Sequence, residues 1–143
     1  MMKFEDGAAW PNTVASAEVT ATTTKANEWE VLTYDFSGAF SSSPSAAQWV
    51  NLVMFIDNGT MGDGSSNFTI YIDDITQYSS TSSSVISDFE DAGSLSGFDG
   101  GDQEIITNAD STPYDKSPQK PKNSSDKVLK LVKNSGQTWG GHK

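Results

Sequence analysis

The groups in this chain best suited to chemistry are carboxylates, and they gather in two places. Asp73 and Asp74 close the apolar run that starts at Phe68, and Asp88, Glu90 and Asp91 follow the run that starts at Val85. Two kinds of chemistry use such acids. Glycoside hydrolysis needs two carboxylates about 5–10 Å apart across a cleft, one of them with a raised pKa. A hard cation such as calcium needs carboxylate and carbonyl oxygens converging on one point. In a regular strand, neighbouring side chains point to opposite faces. Neither Asp73 with Asp74 nor Glu90 with Asp91 is then expected to form a catalytic pair. The single histidine, His142, is next to the last residue, where fraying would spoil a histidine-based triad. The expectation is a protein that is not an enzyme.

Recognition of a sugar needs no such acid. Its ring presents flat C–H faces on which an exposed aromatic stacks, while nearby polar side chains select among sugars. Of the four tryptophans, Trp29 precedes Leu32, Tyr34 and Phe36 at strand spacing and reads as core. Trp49 opens the most apolar segment and reads as packing. Trp10 stands in a loop beside Pro11 and Asn12, and Trp139 stands between Thr138 and Gly140. Tyr114 falls in a long irregular segment with Pro113, Pro118 and Pro121. Trp10, Trp139 and Tyr114 are the candidate ligand-binding residues.

Short strands must position these groups. Residues 14–22 alternate apolar with polar at a period of two, and residues 29–36 and 68–75 show the same spacing. VNLVMFI, residues 50–56, is apolar on both faces and belongs in the middle of a sheet. KVLKLVK, residues 127–133, is another clear strand. With residues 1–4, 85–90, 104–108 and a strand beginning near Trp139, the count reaches eight or nine antiparallel strands. The fold class is all-β, with a β-sandwich as the default.

The chain has 143 residues and a net charge of -10, with nine lysines and no arginine. Nucleic acid and anionic membranes are excluded as partners, because phosphate binding needs a basic footprint. The acidic excess does suit calcium. With no cysteine there is no disulfide and no thiolate metal site. Apolar runs fall short of the roughly 20 residues of a membrane span. Met1 runs straight into Lys3-Phe4-Glu5-Asp6, which reads as mid-domain sequence, so a piece of something larger is expected.

Laid out in this way, the chain resembles the jelly-roll carbohydrate-binding modules of the family 4, 16 and 22 type, a galactose-binding-like β-sandwich. The opening strand of such modules is similar to Asp88-Phe89-Glu90-Asp91. Later segments are similar to residues 123–128 (NSSDKV), 138–141 (TWGG), 3–7 (KFEDG) and 27–36 (NEWEVLTYDF), and the closing strand is similar to residues 71–75 (YIDDI). The order is permuted. Residues 1–77 correspond to the C-terminal part of a module, residues 78–84 to a serine-rich linker, and residues 85–143 to the N-terminal part, the two parts forming one domain. One departure is that about two strands of module sequence are missing after Gly141. The expectation for a fold thinned in this way is completion within one chain or by another chain, the latter as a strand-exchanged or head-to-tail homo-oligomer.

The resemblance implies a non-catalytic module of a secreted polysaccharide-degrading or glycan-binding bacterial protein, taking a neutral β-glucan-like polysaccharide. It also implies a structural calcium between the first and last strands, with Glu90 and Asp73 or Asp74 as carboxylate ligands and backbone carbonyls near residues 124–127, together with Asn123, completing the shell. Two other readings stand beside it: an extracellular structural, adhesive or filament-forming repeat, and a fragment of a glycoside hydrolase or lyase. A second calcium in the loop 57–67 is disfavoured, since its acids do not follow EF-hand spacing.

Overall fold

A computed structural model describes residues 1–26, 28–40, 48–91, 95–108, 123 and 125–143. Among the described residues the named elements are nine strands and one 3-10 turn at Ser66–Phe68. The strands are β1 (Met2–Glu5), β2 (Asn51–Met54), β3 (Thr69–Ile72), β4 (Ile75–Tyr78), β5 (Ser83–Ser87), β6 (Gly97–Phe98), β7 (Gly101–Thr107), β8 (Lys127–Lys133) and β9 (Gly141–His142). They pair antiparallel throughout, in three sheets ordered β1-β2-β9-β6, β3-β8-β7 and β4-β5. The expected all-β class therefore holds. No helix among the described residues is long and apolar enough to cross a membrane.

Strand β8 shows how sequence becomes packing. Leu129 and Leu131 point to one face and are fully buried, where they meet Met54 of β2 and Phe89. Met2, Ile70, Ile72, Ile75 and Ile105 pack around them, so the two larger sheets share one apolar core. As VNLVMFI suggested, β2 is an inner strand, flanked by β1 and β9. Both larger sheets draw strands from residues 1–77 and from residues 85–143, which knits the two parts together.

Residues 14–22 and 29–36 form no ladder. Two isolated bridges, Met2 to Val19 and Glu5 to Ala15, hold the first segment loosely along β1. In the second, Leu32, Tyr34 and Phe36 are half-buried while Val31, Thr33 and Asp35 are exposed. Alternation decides which side faces the core, whereas a strand also needs a neighbouring backbone to bond. Trp49 packs as expected, 5.1 Å from Phe40, in an aromatic group with Phe4 and Phe36. Trp29 is half-buried, and its indole nitrogen has no partner among the described residues.

Residues 78–84 are not a free linker. Tyr78 ends β4, Ser83 and Ser84 begin β5, and residues 79–82 make the tight turn between them. There the Ser79 amide donates to the Ser82 carbonyl at 2.8 Å, and the Ser79 hydroxyl accepts from the Thr81 and Ser82 amides. Serine hydroxyls close turns in this way by standing in for backbone acceptors. The end of the chain is not frayed either. His142 is fully buried, its Nε2 lies 2.9 Å from the Asp102 carbonyl, and burial holds its pKa below the ordinary histidine value. Between β6 and β7 the chain passes from one sheet to the other. Gly100 turns there at φ +100°, and a side chain at Gly101 would meet the Gly141 carbonyl at 2.1 Å.

Candidate functional site

Both acid clusters sit at kinks where strands end. Strand β3 stops at Ile72, and Asp74 takes a left-handed φ of 50°. Strand β5 stops at Ser87, and Phe89 takes a φ of 57°. An aspartate tolerates this region, but a bulky residue rarely does, and Phe89 is held there by its burial in the core. The expectation that Asp73 and Asp74 diverge rested on a regular strand, which the kink removes. The register Ile75 to Ser87 then sets the two acid segments against each other. Burial, and next to it the charges of Asp73, Asp88 and Glu90, push the Asp74 carboxyl above the ordinary aspartate range.

The start of β8 ties this cluster together. The Lys127 amide donates to Glu90 Oε1 at 3.1 Å, and Lys127 Nζ donates to the Glu90 carbonyl at 2.6 Å. Asn123 Nδ2 donates to Asp73 Oδ2 at 2.5 Å, and Asn123 Oδ1 accepts from the Ser125 amide at 2.9 Å. Asn108 Nδ2 donates to the carbonyls of Asn123 and Ser125 at 3.1 and 2.8 Å. Glu90, Asp73, Asp74 and Asn123 thus gather at one end of the fold. As oxygen donors they suit a hard cation in kind, and the charges of Asp73, Asp88 and Glu90 around Asp74 make a negative field that a cation would relieve. Among the described residues, however, no three acids or histidines stand close enough to share one ion. Hydrogen bonds from Asn123 and Lys127 already engage one oxygen of Asp73 and one of Glu90.

The candidate aromatics do not form one platform. Trp10 is 87% exposed in the loop that follows β1, a loop organised by Asp6 Oδ1, which accepts from the Ala8 and Val14 amides. Trp139 is 53% exposed just before β9, and its Nε1 donates to Asp99 Oδ2 at 3.1 Å. Since Glu5 pairs with Asn51 while His142 pairs with Met54, the two indoles lie toward opposite ends of β2. Tyr114 lies outside the described residues.

A residue that sequence reasoning missed is Lys133. It is fully buried, and Nζ donates at 2.9 Å to each of three carbonyls, those of Ile56, Asp57 and Thr138. Burial pushes its pKa below the ordinary lysine value, with Asp57 opposing. The ammonium joins the loop 57–67 to the segment that carries Trp139, much as a bound cation would. Its signal was present in the sequence, because Lys133 shares the parity of Leu129 and Leu131. No known family model matches the chain, and neither a curated protein nor a solved structure proves similar to it.

Proposed function

We propose that the chain is a non-catalytic carbohydrate-binding jelly-roll β-sandwich of an extracellular or cell-surface protein, taking a neutral β-glucan-like polysaccharide. The observation that carries this reading is Trp139, an indole more than half exposed yet fixed through its ring nitrogen to Asp99. A ring held in place stacks on a sugar face without first losing rotamer freedom, and the Asp99 carboxylate beside it can accept from sugar hydroxyls. A net charge of -10 and the lack of arginine favour a neutral polymer over an acidic one. In affinity electrophoresis through soluble β-glucans, Trp139→Ala is expected to weaken binding about tenfold. Trp10→Ala, at the other end of the sheet, is expected to leave it unchanged. Failure of the unaltered protein to bind any glycan would sink the reading, and cleavage of one would sink its non-catalytic part.

The same reading includes a structural calcium, for which the carboxylates of Asp73, Asp74 and Glu90 would have to close in from their present spacing and Asn123 would have to turn its amide oxygen from the Ser125 amide. Bound there, the ion would join the ends of β3 and β5 to the start of β8. A site that exists only in the folded chain stabilises it, by about 2.7 kcal/mol at a hundredfold excess over Kd. The expected result is a thermal midpoint several degrees higher in millimolar calcium than in chelator, with the difference lost in Glu90→Gln. Identical midpoints in calcium and chelator would count against the ion.

A further inference from the structure

Three loops meet at one end of the fold, and Lys133 bonds to two of them through both its side chain and its backbone. Its ammonium donates to the carbonyls of Ile56 and Asp57, just beyond β2, and to that of Thr138. The loop 57–67 then returns to the same lysine, where the Gly64 amide donates to the Lys133 carbonyl at 3.0 Å. From the other side, the turn 98–101 bonds to the segment after β8. The Asn134 amide donates to the Gly100 carbonyl at 2.8 Å, and the Gln137 amide to the Asp99 carbonyl at 3.0 Å.

Trp139 sits where these loops meet. The Thr138 carbonyl belongs to the peptide plane that also carries the Trp139 nitrogen. It accepts from Lys133 Nζ at 2.9 Å and from the Gly59 amide at 3.0 Å, which uses both of its lone pairs. Asp99 fixes the residue a second time, at its ring nitrogen. A ring held at its backbone and at its nitrogen keeps one orientation although more than half of it is exposed. A binding group carried on loops reaches such precision only when its supporting partners are themselves locked. We infer that Lys133 is a positioning residue for the Trp139 sugar site, setting the peptide plane from which the indole projects. Resting on the carbohydrate reading of Trp139, this role makes affinity depend on a fully buried cation that no ligand touches.

The Trp139 Nε1–H gives one of four indole cross-peaks in the nitrogen-15-labelled protein, assigned by its loss in Trp139→Phe. In Lys133→Met this peak is expected to move or broaden. Glycan affinity, measured where the variant is folded, is expected to fall about tenfold, the cost of ordering a freed ring on binding. Leu129→Ala, a core cavity four positions along β8, also lowers stability. It is expected to leave the peak in place and the affinity within about twofold. Should Lys133→Met fail to fold, Gly59→Ala disturbs the same carbonyl more gently. A side chain there meets nothing within 4 Å, but φ +100° strains it, so the fold stays while the junction loosens. Its peak is expected to move as well, with affinity down about threefold. A peak unmoved in every folded variant of this junction overturns the role, and so does an equal movement in Leu129→Ala. A moved peak with unchanged affinity overturns it too. No glycan binding by the unaltered chain overturns the carbohydrate reading instead, a result distinct from an unmoved peak.

Discussion

Replacing Lys133 with methionine is expected to lower the unfolding free energy by about 3–5 kcal/mol, because it strips a buried cation from the acceptors that surround it. The aliphatic stem survives in methionine, so little packing is lost. The loss falls on the carbonyls of Ile56, Asp57 and Thr138, which all accept from Nζ in a place closed to water. Each acceptor left bare costs about 1–3 kcal/mol before relaxation. Urea unfolding checks this as a fall in midpoint at constant slope, which reports stability and not a change in the surface exposed. A loss below about 1 kcal/mol would mean that the carbonyls reach water or other donors. Lys133→Arg should not rescue the variant, since a planar guanidinium cannot reproduce three donors radiating from one nitrogen.

The second large effect is expected from Leu131→Ala, at about 3 kcal/mol, within the range for emptying a leucine-sized volume in a packed core. Leu131 lies on the inner strand of its sheet, opposite Ile70 on one side and Gln103 on the other, with no exposure to solvent. It reaches Met54 and Phe89, so the cavity would open where the two larger sheets meet. The comparison that isolates this is Val132→Ala, one position along on the half-buried face, for which about 1 kcal/mol is expected. Equal losses at the two positions, measured by the same urea titration, would mean that the core does not lie where the burial places it.

The comparison between Leu131 and Val132 was legible in the sequence, since KVLKLVK alternates and period two assigns faces. The inner place of β2 was legible for a related reason, its apolar residues on both faces. What could not be read was the pairing. Leu32, Tyr34 and Phe36 keep their shared face although no strand forms, because alternation carries no information about which backbone lies alongside. The acid site was half legible. The resemblance brought Glu90, Asp73, Asp74 and Asn123 together, and they do gather at the start of β8. The means of gathering was hidden, since nothing in the spelling of Asp73-Asp74 or Phe89-Glu90 announces a left-handed residue at Asp74 or Phe89. Lys133 was overlooked because a lysine at a strand end reads as solvent-facing. Its parity with two buried leucines was the better guide.

The two ends of the chain flank one strand. Met2 and His142 are both register partners of Met54, one from each side, and the Met1 amino group donates to the Phe55 carbonyl at 3.1 Å. Strand spacing then sets the ends roughly 10 Å apart. At the far side of the sequence, a four-residue serine turn closes β4 onto β5. The fold is therefore close to a ring, in which the gap beside Met54 and the turn at residues 79–82 are two places where it can be cut. Opened at the serine turn and joined across the gap, the same strands would follow one another from β5 to β9 and then from β1 to β4, with every pairing kept.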